Sequence, residues 1–180
     1  VCIQEGRTAD DQVRAGAAYD MYIAGALDGS YGSQIWIKKS MHSVVLMASA
    51  ISPRIMTVAI RLRDHEPITI ISAHAPCLLS PPAASCAFWC ELELATATLR
   101  NRWPSAVMIV GIDANARVGS IAAPHLGPAA PDIENDNGAC LATSSTSSSS
   151  SPTTRSSMLG TLRLRLDHAP IARPHPRQDR

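Results

Sequence analysis

The 180-residue chain is poor in aromatic residues, nearly neutral and without a long apolar run. It contains one Phe, three Tyr and three Trp, and its formal net charge is +1 at pH 7. So small a charge produces no global field that would attract a polyanion, and no apolar segment reaches the length of a membrane span. The five Cys include no CxxC pair, and we find no secretory signal. We therefore expect unpaired thiols and an intracellular, reducing compartment.

Several common catalytic signatures are also missing. The chain carries no glycine-rich phosphate loop, no H-E-x-x-H and no G-x-S-x-G, so NTPase, zincin and α/β-hydrolase functions have no support. Its length favours one domain with a substantial core over two domains. Cys86 and Cys90 lie four residues apart on a predicted helix, and we interpret this spacing as core packing rather than as a metal site.

The stretch from Ser105 to Gly119 (SAVMIVGIDANARVG) joins an apolar run to closely spaced polar groups. Val107 to Val110 is apolar and contains β-branched residues, which predicts a buried strand. Asp113 and Asn115 follow, and in an extended chain such i, i+2 residues project to the same side. A carboxylate and a carboxamide would then hold a water molecule and a phosphoryl oxygen at a rigid strand end. The alternative is an Asx-type turn that closes the strand.

The remaining chain alternates short apolar segments with turn signals. Thr8 begins a capping-box pattern, which predicts a helix to about Ala17. Ser80 followed by two Pro predicts the start of a second, amphipathic helix that ends near Arg102. The predicted order is a series of strands followed by a strand, a helix and a strand. This order favours an α/β sandwich over an all-β fold. The predicted strands before this helix are Tyr19–Ala24, Ser33–Lys38, Ser43–Met47, Ile55–Leu62 and Ile68–Ala73.

Four segments resemble, in the same order, motifs of the endonuclease/exonuclease/phosphatase superfamily. Residues 1–5 (VCIQE) resemble the LQE strand, 72–76 (SAHAP) the N/S-A-H-x-P element and 111–116 (GIDANA) the GDFNA element. Residues 134–141 (ENDNGACL) resemble an E/N-x-N-G-x-x-L element that begins a helix after the D-x-N loop. This superfamily includes deoxyribonucleases of the pancreatic type and the endonuclease domains of non-LTR retrotransposons. The resemblance is to the retrotransposon branch and extends to about residue 142.

The resemblance implies an α/β (α+β) fold, a four-layer α/β/β/α sandwich that is incomplete at both ends. Residues 1–142 would form this partial domain, and residues 143–160 a Ser/Thr-rich segment that cannot bury a core. Residues 161–172 would supply a closing strand with a D-H motif, and 173–180 a disordered basic tail. We expect a truncated fragment, since Val1 begins in mid-strand and relatives have an earlier strand whose Asn completes the metal site.

Metal-assisted phosphodiester hydrolysis is the chemistry that the resemblance implies. Glu5 would bind Mg²⁺, for which Mn²⁺ could substitute. Asp113 would orient or deprotonate the attacking water, and Asn115 would fix the phosphate and the neighbouring carboxylate. His74 would contact the scissile phosphate and stabilise its negative charge.

Asp167 and His168 lie in a segment (LDHAPI) with two competing alignments. In the first they match the family's closing S-D-H-x-P motif, whose Asp orients a catalytic His. In the second they match an earlier I-D-H/Y-I strand, and the catalytic His is then absent. The residues alone leave both alignments open.

The implied function is nicking of nucleic acid, with DNA favoured over RNA, by a monomer that does not associate with membranes. The nucleus is a candidate location. One alternative is a phosphatase or lipid phosphodiesterase of the same superfamily. Another is a non-catalytic remnant that binds nucleic acid weakly through its basic tail.

Overall fold

The computed structural model describes residues 1–118 and 133–147, and side chains as far as residue 143. Two four-stranded sheets stack face to face, and two helices pack on the outer side of the second sheet. Sheet one has the spatial order β1–β4–β3–β2, with β1 Cys2–Ile3, β2 Gln12–Ala15, β3 Tyr19–Gly25 and β4 Gly32–Lys38. Sheet two has the order β5–β6–β7–β8, with β5 Ser43–Ser52, β6 Ile55–Leu62, β7 Ile68–His74 and β8 Val107–Asp113. The helices are α1 Pro82–Arg102 and α2 Asp136–Ser147.

The pairing within sheet two determines where the ends of its strands meet. β5, β6 and β7 pair antiparallel, whereas β7 and β8 pair parallel. A parallel pair needs a crossover connection, and α1 supplies it. The register places His74 opposite Asp113, so the carboxyl ends of both strands lie at the same edge of the sheet.

Two apolar cores lie on the opposite faces of sheet two. Ile71 and Ala73 face the helices, where they pack with Phe88, Trp89 and Leu92 of α1. The intervening residues of β6 and β7 face sheet one, because successive side chains of a strand alternate between faces. The core between the sheets is formed by Tyr22, Ala24, Ile35, Ile37, Met56, Val58 and Ile60.

The predicted α+β class with two stacked sheets is confirmed. Every strand predicted within the described residues is present, and the helix predicted from Ser80 begins at Pro82. The closing strand predicted in residues 161–172 lies outside the described residues. Within the described residues, sheet one, sheet two and the helices form three of the four predicted layers, and α2 runs past residue 142 to Ser147. In residues 1–118 and 133–147, no helix is long and apolar enough to cross a membrane.

The helix predicted from Thr8 to Ala17 is wrong. Residues Gln12–Ala15 form β2, which pairs antiparallel with β3. The side chain of Asp11 accepts a hydrogen bond from the Gly25 amide at 2.8 Å instead of capping a helix. Pairing with a neighbouring strand supplies backbone partners that local capping signals cannot anticipate.

Two expectations about burial are also wrong. Cys86 and Cys90 are exposed, because the buried stripe of α1 runs through Phe88 and Leu92 on another face of the helix. β8 is only partly buried: its Ile109 is 46% exposed. Sheet one lies over β5, β6 and β7, whereas its contact with β8 is made mainly by the two-residue strand β1 and the adjoining Gln4. In the described part of the chain, one face of β8 therefore has little cover.

Candidate functional site

Three segments that are distant in sequence bring a glutamate, a histidine and an aspartate together at the edge of the two stacked sheets. Glu5 follows β1, His74 ends β7 and Asp113 ends β8. Nε2 of His74 lies 3.8 Å from Oε1 of Glu5 and 3.9 Å from Oδ2 of Asp113. Both distances exceed that of a hydrogen bond, so neither carboxylate accepts a hydrogen bond from Nε2. The structure thus brings these three predicted residues into one cluster.

Strand alternation explains why His74 and Asp113 project from the side of sheet two that faces sheet one. His74 lies on the same side of β7 as Ser72, whose hydroxyl donates to the carbonyl of Ile3 in sheet one at 3.2 Å. Asp113 lies on the same side of β8 as Gly111, because residues two apart share a face. The parallel register then sets the two side chains next to each other at the edge of sheet two.

Glu5 is held beside them by contacts of β1 with sheet two. Nε2 of Gln4 donates to Oγ of Ser72 at 3.2 Å and to the carbonyl of Gly111 at 3.1 Å. A Cβ atom on Gly111 would lie 2.6 Å from Cβ of Cys2, so only glycine allows β1 to approach β8 this closely. The glycine that precedes Asp113 therefore helps to position Glu5.

The backbone of Glu5 adopts an unusual conformation. Its φ of 54° lies in the left-handed region, which residues with a Cβ seldom occupy. Such strain costs about 1–3 kcal/mol and occurs often at functional sites. The Glu5 carboxylate is also 57% exposed, so it is accessible to a ligand from solvent.

His74 is nearly buried, with 7% of its surface exposed. Burial lowers its pKa below the ordinary 6.5 despite the opposing effect of Asp113, and the Arg54 guanidinium lowers the pKa further. The imidazole is therefore neutral at pH 7. Two carboxylates lie near Nε2, whereas Nδ1 has no hydrogen-bond partner among the described residues. This arrangement favours the tautomer with the proton on Nε2.

Arg54 is a cation of the site that no motif in the sequence indicates. It lies in the β5–β6 turn, and its Nη1 donates to the carbonyl of His74 at 3.2 Å. Its guanidinium carbon lies 4.1 Å from the centre of the Tyr31 ring. In the sequence Arg54 only follows Ser52-Pro53, a turn signal that gives no indication of contact with a residue twenty positions later.

The D-x-N segment forms the Asx turn that the residues left open as an alternative. The Asn115 amide donates to Oδ1 of Asp113 at 3.1 Å, and Asn115 has a left-handed φ of 45°. Its side chain does not project beside that of Asp113, because Nδ2 donates to the carbonyl of Ala75 at 2.8 Å. The Asp113 side chain remains 49% exposed, with Oδ2 towards His74.

The donor set fits a Mg²⁺ ion only in part. This ion prefers oxygen ligands and is commonly held by one or two carboxylates together with water and substrate phosphate. The exposed carboxylates of Glu5 and Asp113 match that pattern. Within the described ranges, no three His, Cys, Asp or Glu residues form a group that could hold a metal ion. Asp167 and His168 lie outside the described residues.

No family profile and no curated protein matches this sequence. Among solved structures, the chain is similar to the "endonuclease domain of TRAS1, a telomere-specific non-LTR retrotransposon", with a TM-score of 0.51 and 18% sequence identity. The match covers 75% of this chain and 52% of that chain, so the chain spans about half the length of its structural neighbour. At this identity the similarity is one of fold: over the matched part, the chain has the α+β fold of that endonuclease domain.

Proposed function

We propose that this protein is a divalent-metal-dependent endonuclease that nicks DNA. The observation that supports this function is the convergence of Glu5 and Asp113 on one imidazole nitrogen of His74. The cluster lies at the strand ends of a fold shared with an endonuclease domain. Carboxylates for water activation beside a neutral hydrogen-bond donor are the groups that phosphodiester hydrolysis requires.

Asp113 is the residue that orients the attacking water and accepts its proton. The Asn115 amide fixes Oδ1 of Asp113, which leaves Oδ2 as the acceptor on the side of His74. General-base catalysis needs a carboxylate that is both held in place and reachable by water, and the half-exposed Asp113 meets both conditions. Asn115 thus acts on the carboxylate through its backbone amide.

His74 donates a hydrogen bond from Nε2 to a non-bridging oxygen of the scissile phosphate. A neutral imidazole keeps this proton at pH 7, and its nearly buried position strengthens the interaction with developing negative charge. Arg54 adds positive charge beside the same residue. Under the first of the two alignments, Asp167 and His168 would add a closing catalytic pair to this site; under the second, that catalytic His is absent.

The charges of the site also support a requirement for a cation. Glu5 and Asp113 together carry more negative charge than Arg54 balances while His74 is neutral, so an approaching phosphodiester would be repelled. Glu5, alone or with Asp113, would hold Mg²⁺ or Mn²⁺, which supplies Lewis-acid polarisation of a phosphoryl oxygen when bound.

Nicking of supercoiled plasmid tests this function. The wild-type protein should convert plasmid to the open circle in Mg²⁺ or Mn²⁺ but not in EDTA. Asp113→Ala should lower the rate by about 10²–10⁴-fold, because the general base is lost. Asp20→Ala is a matched control, since it removes a part-exposed carboxylate at the far end of β3. Nicking that persists in EDTA or in Asp113→Ala contradicts the proposal.

Other substrates distinguish the remaining candidates. A phosphatase of this fold would hydrolyse a phosphomonoester faster than plasmid, and a lipid phosphodiesterase would release headgroups from vesicles. A folded protein that binds DNA in low salt, loses binding in high salt and cleaves none of these substrates would be a non-catalytic remnant.

A further inference from the structure

Asn137, near the start of α2, connects three separate segments of the molecule. Its Nδ2 donates to the carbonyl of Pro76 at 2.8 Å and to that of Asn115 at 3.4 Å. Its Oδ1 accepts a hydrogen bond from Nε1 of Trp89 in α1 at 3.0 Å. Asn137 is buried, so these contacts replace water around a polar side chain and fix its orientation.

The chemistry of these partners determines which way the amide of Asn137 points. The indole of Trp89 is only a donor, and the two carbonyls are only acceptors. A reversed amide would oppose donor to donor and oxygen to oxygen, which is costly in a buried site. Trp89 therefore locks the NH₂ group of Asn137 towards the two carbonyls.

The carbonyls of Pro76 and Asn115 belong to the loops that follow His74 and Asp113. Pro76 lies two residues after His74, and Asn115 lies two residues after Asp113. His74 and Asp113 are the last residues of their strands, so the β7–β8 ladder supports them from one side only. Beyond the strand ends the chain continues into the two loops, and the side-chain amide of Asn137 contacts both of them.

A second asparagine, Asn135, directly precedes α2 and supports this arrangement. Oδ1 of Asn135 accepts hydrogen bonds from the amides of Gly138 at 2.8 Å and Arg117 at 2.9 Å, and its Nδ2 donates to the Asn115 carbonyl at 3.1 Å. Asn135 thus caps α2 and holds the loop after Asp113 at once. A Cβ atom on Gly138 would collide with the carbonyl group of Arg117, so glycine permits this close approach.

We propose that Asn137, oriented by Trp89, is a positioning residue that sets the separation of His74 and Asp113. This inference rests on the proposed nuclease function, because that separation matters only where both groups act on one phosphate. It assigns to residues 135–138 a role in catalysis through the loops rather than contact with substrate. Alignment of reacting groups is sensitive to displacements of about 1 Å.

The test compares Asn137→Ala and Trp89→Phe with a structural control, Thr57→Val. Thr57→Val removes a hydrogen bond of a buried side chain, from Oγ1 to the carbonyl of Ser49, but it lies within the β5–β6 pair. Two quantities are measured at a temperature at which all variants are folded. The first is steady-state cleavage of a DNA duplex in Mg²⁺, and the second is hydrogen exchange of the amides of Ala75 and Arg117.

Asn137→Ala should lower kcat roughly 10- to 100-fold while KM stays within about two-fold, since it disturbs alignment and removes no substrate contact. Trp89→Phe should shift kcat in the same direction by a smaller factor. Both variants should speed exchange at Ala75, which donates to the Asp113 carbonyl, and at Arg117, which donates to Asn135. Thr57→Val should change neither quantity.

An Asn137→Ala protein with the kcat and the exchange rates of Thr57→Val overturns the proposal. A change in KM alone also overturns it, because Asn137 would then act on binding. If the wild-type protein cleaves no DNA, the proposed function fails by itself. The exchange rates at Ala75 and Arg117 still show in that case whether Asn137 holds the two loops, and unchanged rates overturn the inference.

Discussion

The neighbouring strands β7 and β8 have similar sequences and different surroundings. Their sequences, ITIISAH and VMIVGID, are apolar runs that end in a titratable residue, and the two strands pair along their whole length. Ile71 of β7 is fully buried, whereas Ile109 of β8 is 46% exposed. β7 lies between two strands and under both neighbouring layers, while β8 lies at the edge of sheet two. Position in the sheet, rather than composition of the strand, determines burial here.

The same difference gives the two strand ends distinct chemistry. His74 lies at the end of β7, where burial lowers its pKa and keeps its imidazole neutral. Asp113 lies on the exposed face of β8, so solvent reaches its carboxylate. A neutral donor and a solvent-accessible acceptor thus lie side by side. The contrast between the strands is therefore useful to the proposed reaction.

The largest effect on stability is expected where β7 is most enclosed. Ile71→Ala should lower the free energy of unfolding by about 2–5 kcal/mol, because it leaves a cavity in a closed core. Ile109→Ala, the same substitution on the face of β8 towards sheet one, should cost roughly 1 kcal/mol or less because its surroundings are partly solvent. Urea unfolding measures both. Equal losses would mean that a further part of the molecule covers β8 in solution.

A smaller effect is expected at Glu5, where the cluster carries backbone strain. Glu5→Gly should raise the free energy of unfolding by about 1 kcal/mol relative to Glu5→Ala, because glycine occupies the left-handed region without a Cβ penalty. Both variants should lose metal-dependent nicking, since each lacks the carboxylate. Equal stability of the two variants would show that the left-handed conformation of Glu5 is not maintained in solution.

The smallest effect concerns the pH dependence of stability. The pKa of His74 is lowered in the folded protein, so the unfolded chain takes up the proton first as the pH falls. The contribution of neutral His74 is complete above pH 6.5 and is lost as the pH falls from 6.5 through the folded-state pKa. His74→Gln should flatten the unfolding free energy in this window, while Asp20→Ala should retain the wild-type slope. An unchanged slope in His74→Gln would mean that burial does not shift this group.

The sequence predicted most elements because local patterns decide them. Ile55–Leu62 was predicted with the observed bounds, since a β-branched run lies between turn signals. The helix predicted from Thr8 is absent, because pairing of β2 with β3 overrides the local capping pattern. Glu5, His74 and Asp113 were found from motifs, whereas nothing around Arg54 or Asn137 in the sequence indicates that they contact the loops of the site.

By itself, the sequence determined the strands other than β2, both helices and the polar residues that end β7 and β8, because spacing and turn residues act over a few positions. Only the tertiary structure decided the distances from Nε2 of His74 to the two carboxylates. It also decided the burial that lowers the pKa of His74 and the exposure of β8. Those properties depend on which layers lie over each strand, and residues 5, 74 and 113 meet only when two sheets are stacked.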